Sequence, residues 1–179
     1  MLDRWLLLIY TVPAEPSRKR ATIWREIKKA GAIYLRDGVC ALPERAESLA
    51  AFKLIAEKVE EFGGQATLAR SVELDDSRKA WLLEAAKEAR AAEYTDIRNE
   101  ITAFLAHIRR EQEHRDFSFT ELEELDQDLT KLRRWSSQIA SREFTASPAA
   151  SEVSGLLAQC ETELGAFLEE TFRQEAATE

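Results

Sequence analysis

Two cysteines, two histidines, one methionine, four prolines and six glycines among 179 residues leave little room for several kinds of chemistry. Cys40 and Cys160 stand far apart in unlike contexts, which excludes a disulfide framework and a cysteine-based zinc site and fits a reducing compartment. Cys40 lies inside a short apolar stretch and reads as a buried, inert thiol. His107 and His114 sit seven apart on one helical pattern with no Cys or His neighbour at ligand spacing, so they read as solvated helix residues. Long apolar runs are missing too. The run 6–9 follows Asp3 and Arg4, is far too short to cross a membrane and lacks a leader cleavage site, so a cytoplasmic protein is expected. There is no phosphate-cradling glycine loop, no nucleophile elbow and no HExxH pattern. Acidic runs such as Glu123-Glu124 and 126–128 alternate with leucines and read as a wet helix face. The expectation is a protein without catalysis, cofactor or bound metal.

What the chain does have is charge, unevenly placed. Hydrophobic residues make up 45% and charged residues 32%, as in a globular protein rich in exposed helix faces. The net charge is −8. Residues 1–75 hold twelve Lys or Arg against eleven Asp or Glu, whereas 76–179 hold thirteen against twenty-two. Within 16–36 there are seven basic residues and a single acid, Glu26. The low overall isoelectric point therefore says little about what that segment binds.

The pattern along the chain changes character once. Residues 5–12 are β-rich and nearly all apolar, as in a strand buried on both faces. Pro13 and Pro16 end it, and Ser17 is placed to cap a helix over 18–30 with Ile23, Ile27 and Ala30 inward and Trp24 alongside. Gly31 stops the helix. Short strands at 32–36 and 39–42 flank Asp37-Gly38, a hairpin signal. A second helix over 44–62 buries Phe52, Ile55, Val59 and Phe62, and Gly63-Gly64 ends it before a fourth strand at 66–74. The order βαββαβ predicts an α+β protein beginning with a ferredoxin-like plait over 1–75. Three helical patterns follow over 76–179 and predict a three-helix bundle. The first carries Trp81, Ala85, Ala89, Ala92, Ile97, Ile101, Phe104 and Ile108. The second, capped by Ser118 or Thr120, carries the seam Leu122, Leu125, Leu129, Leu132, Ser136 and Ile139. The third begins at Ser147-Pro148 and carries Val153, Leu156, Cys160, Leu164, Phe167 and Thr171.

The basic helix is the one feature with chemistry to offer. Arg18, Arg25 and Lys29 recur at i, i+7 and i+11 on one face; Lys28, Lys19 and Arg20 extend the patch, and Arg36 leaves the following strand at the hairpin. Such a row suits the phosphates of a nucleic acid backbone, since each contact releases a counterion. An ordinary solvated face and pairing with the acidic second half are the competing readings. Arg18, Lys19 and Arg20 stand where the helix dipole disfavours cations by a few tenths of a kcal/mol, which favours a use outside the fold. The predicted DNA-contacting set is Arg18, Lys19, Arg20, Arg25, Lys28, Lys29 and Arg36, with Trp24 packing the helix onto the sheet. A different class of function is a non-catalytic interaction module docking a protein through the 122–139 seam. A third reading uses the same basic face for an oxyanion. Ferredoxin-like domains often pair through sheet edges, so a homodimer is expected.

The residues WLLL, the proline loop, R…WR.IK..GA and LRDGV..LP together resemble the N-terminal domain of ChrB, the regulator of bacterial chromate-resistance operons. Gly63-Gly64 and Tyr94 in a long helix also fit. The resemblance covers most of the chain and is strongest over 5–43. It implies a chromate-responsive, DNA-binding regulator. Full-length ChrB proteins carry a further C-terminal domain linked to chromate sensing, which these 179 residues are not expected to contain. A more distant likeness is to the ferredoxin-like domain of PaaX-type repressors and of small CRISPR-associated nucleases. Those nucleases place a metal-binding aspartate at the end of the first strand, where this chain has Thr11 in IYTVP. A hydroxyl is a poor Mg²⁺ ligand, so no metal-dependent nuclease site is expected.

Overall fold

The computed structural model describes residues 4–144 and 147–178. Its elements run β1 (Trp5–Thr11), α1 (Ser17–Lys29), β2 (Ile33–Arg36), β3 (Val39–Pro43), α2 (Ala46–Glu61), β4 (Gln65–Val72), α3 (Asp76–His114), α4 (Phe119–Ala140) and α5 (Pro148–Thr178). The chain forms two compact units, 1–86 and 87–179.

In the first unit the strands lie in the order β2-β3-β1-β4, with every neighbouring pair antiparallel. This is the arrangement of a ferredoxin-like plait, in which two right-handed βαβ crossovers interleave. Leu8 pairs with both Cys40 and Leu68, so these side chains share one face. α2 packs on β1 and β4 from that side. Ile23 and Ile27 of α1 and Phe52, Ile55 and Val59 of α2 are buried as their spacing predicts, while Ala30 and Phe62, expected to continue the stripes, are only half-buried at the helix ends. Trp5 and Ala41 point to the opposite face, where Leu82 at the start of α3 joins them in a second apolar cluster with Leu7, Ile33, Val72 and Leu83 at its margin. The apolar start of β1 thus has its reason: both faces are covered from Trp5 to Leu8, whereas Ile9 and Thr11 further along are exposed, so the strand is not buried on both faces throughout. β2 and β4 are the two sheet edges.

Two glycines are required by close approaches. Gly38, in the β2–β3 turn, has φ +72°, and a Cβ there would meet the Tyr10 carbonyl oxygen at 2.6 Å. Gly64 brings the backbone so near Thr11 that a Cβ would lie 2.1 Å from its carbonyl oxygen.

In the second unit one core cluster is built from α3, α4 and α5, including Ile97, Ile101, Ile108, Leu125, Leu129, Ile139, Val153, Cys160 and Phe167. Ser118 caps α4 by accepting a hydrogen bond from the Glu121 amide at 3.2 Å.

Four expectations need correction. Ser17 is the first helical residue of α1 rather than its cap; the cap position is Pro16, which offers no side-chain acceptor. The early stripe of α3 is shifted by one residue: Leu82, Ala86, Arg90 and Tyr94 are buried, while Trp81 is 45% exposed. The alanine-rich start of α3 gives little contrast between faces, so the phase there is set by Leu82 meeting Trp5 and Ala41. Near the start of α5, Leu157 is buried and Leu156 lies at the margin of the core. The leucine seam of α4 is not free to dock a partner, because Leu125, Leu129, Leu132 and Ile139 are filled in by the unit's own core.

Candidate nucleic-acid interface

The inward positions Ile23 and Ile27 fix the rotation of α1. At 3.6 residues per turn, Arg18, Arg25 and Lys29 then fall within about 40° of each other on the outermost side. All three are exposed. Among the described residues Arg18 and Lys29 have no side-chain partner, and Arg25 donates only within its own helix, to the Ala21 carbonyl and the Thr22 hydroxyl, each at 3.3 Å. Glu26, the lone acid of the segment, faces α2 and pairs with Lys58 at 3.3 Å. Among the described residues of this unit no carboxylate pairs with the outer row. The local choices in α1 also work against its own start: its first turn holds no acid, whereas Lys28 and Lys29 in the last turn agree with the helix dipole.

The remaining predicted residues separate into distinct environments. Lys19 turns toward α2, where its ammonium donates to the Phe62 carbonyl at 3.1 Å and sits 5.6 Å from the Phe62 ring centroid. It is engaged by the fold and does not belong to the outer row. Lys28 lies 5.8 Å from the centroid of the Trp24 ring. Trp24 itself is 52% exposed and does not pack the helix onto the sheet, contrary to the expectation; the inward positions are already filled by Ile23 and Ile27. Arg20 and Trp24 instead line a groove of roughly 700 Å³ with Tyr10, Thr11, Tyr34 and Asp37. Arg36 is exposed at the end of β2 and, among the described residues, has no side-chain partner.

Hydrogen bonds tie the floor of this groove together. Tyr10 and Tyr34, from β1 and β2, share a hydrogen bond between their hydroxyls at 2.9 Å. Burial raises the pKa of both phenols, so neither ionises near neutral pH. The Tyr10 amide donates to the Gly38 carbonyl at 2.7 Å, which locks the β2–β3 turn against β1. Cys40, behind the groove, donates to the Leu8 carbonyl and has its pKa pushed up to about 12 by burial. Such a thiol is a packing group. Thr11 is exposed at the end of β1. His114 is exposed as expected, but His107 is not simply solvated: it contacts two glutamates, described below.

Three features could not be read from the sequence: the exposure of Trp24, the groove beside it, and a buried ionic cluster. In that cluster Glu93 accepts from Arg90 at 2.9 Å and from Arg142 at 2.6 Å, with Arg90 only 8% exposed. The sequence carries no sign of this cluster, because Arg142 stands about fifty residues further along the chain than Arg90 and Glu93.

Fold and surface together define a class: an α+β protein whose ferredoxin-like plait presents a cationic outer helix and which carries a three-helix unit. The chain belongs to the ChrB N-terminal family, as the family model described as "Protein ChrB, N-terminal" matches residues 20–178. It is thus a ChrB-like protein associated with chromate resistance. The match begins inside α1, so β1, Arg18 and Lys19 lie outside it. No curated protein matches the sequence. No helix among the described residues is long and apolar enough to cross a membrane.

Proposed function

We propose that this chain is a non-enzymatic, cytoplasmic transcriptional regulator of chromate resistance genes that binds duplex DNA through the outer face of α1. Arg18, Arg25 and Lys29 contact successive backbone phosphates. Arg20, Lys28 and Arg36 extend the contact surface at its flank, and Lys19 holds α1 against α2. The observation that supports this reading is the row of exposed cations without carboxylate partners among the described residues of its unit. A cation left unpaired at an unfavourable helix start gains little for the fold and much on meeting a polyanion. The chain acts as a homodimer paired through a sheet edge, which places two α1 helices on one duplex. Chromate or a similar oxyanion is the effector.

The test is fluorescence anisotropy of a labelled promoter-length duplex at several ionic strengths, with and without chromate. The wild-type chain is expected to bind at low salt and to weaken steeply as salt rises. Arg25→Ala combined with Lys29→Ala is expected to lower affinity for all sequences alike, since phosphate contacts carry no sequence information. Absence of binding at low salt overturns the proposal.

A further inference from the structure

A second site lies in the three-helix unit and involves a residue type that is scarce in the composition. His107 and Glu111 stand at i and i+4 on α3, so they share one face. Glu121, in the first turn of α4, is held by the Ser118 cap on its amide. The imidazole Nε2 lies 3.4 Å from Glu111 Oε1 and 3.0 Å from Glu121 Oε1. All three donor atoms fall within 4.8 Å of one another. The side chains are 30%, 12% and 17% exposed, so this is a recess and not a solvated face.

Two observations favour a cation among these groups. Glu121 Oε1 is buried and accepts no hydrogen bond, although the imidazole nitrogen lies 3.0 Å away. Negative charge also exceeds positive charge. Glu111, Glu124 and Asp116 all stand close enough to act on the Glu121 carboxylate, while His107 opposes them. Arg110 donates to Glu111 Oε1 at 3.0 Å and balances one of these acids. A cation is the species that resolves both problems.

We propose that His107, Glu111 and Glu121 bind one divalent first-row transition ion of the Zn²⁺ type, with water completing its shell. One imidazole nitrogen with two carboxylate oxygens is a borderline donor set; Mg²⁺ and Ca²⁺ favour all-oxygen shells of six or more. Bonds of about 2.0–2.1 Å in a tetrahedral site place donors roughly 3.4 Å apart. The two imidazole spacings of 3.0 and 3.4 Å lie within tenths of an ångström of that value, and the two carboxylate oxygens are within 4.8 Å of each other. The ion would join the last turns of α3 to the first turn of α4 across the tight connection at Arg115, whose φ is +58°. It acts as a clamp on that helical hairpin and is independent of the DNA-binding proposal.

The full chain is titrated with ZnCl₂ alone by calorimetry, and its melting temperature is followed in parallel. One ion per chain at micromolar affinity or tighter, with a rise in melting temperature, is expected. His107→Ala and Glu121→Gln are expected to weaken binding at least tenfold, and His114→Ala to leave it unchanged. Co²⁺ added to the wild-type chain gives a direct readout that needs no variant: an intense visible absorption band, as for a tetrahedral nitrogen and oxygen shell. A colourless Co²⁺ complex, or several weak sites that persist in His107→Ala, overturns the proposal. If either variant is unfolded by circular dichroism, Glu111→Gln together with the Co²⁺ band decides the matter.

Discussion

Helices α1 and α4 begin in opposite ways. α4 starts with Ser118 accepting from the Glu121 amide and carries an acid in its first turn, so capping and dipole agree. α1 starts at Pro16 with no side-chain cap, and its first turn holds Arg18, Lys19 and Arg20 with no acid. Both helices are similarly anchored, by buried Ile23 and Ile27 in one and Leu125 and Leu129 in the other. A helix whose packing is secure can give up its end effects, and the place where it does so shows where selection acted for something besides folding. In α4 the residues serve the fold. In α1 the same positions serve a surface.

That contrast can be broken most strongly at the outer row. Replacing Arg18, Arg25 and Lys29 together by Ala removes three phosphate contacts. Affinity for duplex near 0.1 M salt is expected to fall by on the order of a hundredfold or more, and the slope of log affinity against log salt by about three. Anisotropy titrations read both numbers, while the melting temperature stays at or above the wild-type value.

Alkaline pH probes the core of each unit. Burial raises the Cys40 thiol pKa to about 12 and the Cys160 thiol to about 11 from an ordinary value near 9. Below pH 9 both thiols are protonated in the folded and unfolded states, and their contribution is fully present. As pH rises from about 9 toward 11–12 the unfolded chain loses these protons first, so stability declines through that window. Chemical denaturation at a series of alkaline pH values would show the midpoint falling, and Cys40→Ala should flatten the curve.

How far the sequence reveals this protein depends on how much contrast each segment offers. The plait was legible because Asp37-Gly38, Gly63-Gly64 and the apolar β1 are strong local signals that agree with one another. The bundle was legible in α4, where leucines recur at three and four. It was misread at the start of α3, where alanines mark no face and Leu82 finds Trp5 only through the sheet. For the candidate interface the row Arg18, Arg25 and Lys29 followed from helical spacing. The inward turn of Lys19 and the outward turn of Trp24 did not. Each depends on a neighbour remote in sequence: the Phe62 carbonyl for Lys19, and the groove formed by β1 and the β2–β3 turn for Trp24.

Smaller effects sharpen the comparison between the two helix starts. Ser118→Ala should reduce stability by about 1 kcal/mol, since it removes the α4 cap; urea denaturation measures it. Trp24→Ala should change stability by no more than about 0.5 kcal/mol, as befits a half-exposed ring. A loss of several kcal/mol in the same assay would mean that the ring is a core residue after all. Smallest of all, Arg18→Glu should raise stability by a few tenths of a kcal/mol by placing an acid in the first turn of α1. The same change should weaken DNA binding, so that stability and affinity move in opposite directions in one variant.

The most direct measurement is a lysine-acetylation footprint of the full chain, read by mass spectrometry with and without saturating duplex. Lys28 and Lys29 on α1 should become protected, while Lys53 on α2 and Lys87 and Lys131 in the second unit keep their reactivity. Protection of Lys87 and Lys131 with Lys29 still reactive would contradict the assignment of α1 as the DNA-facing element.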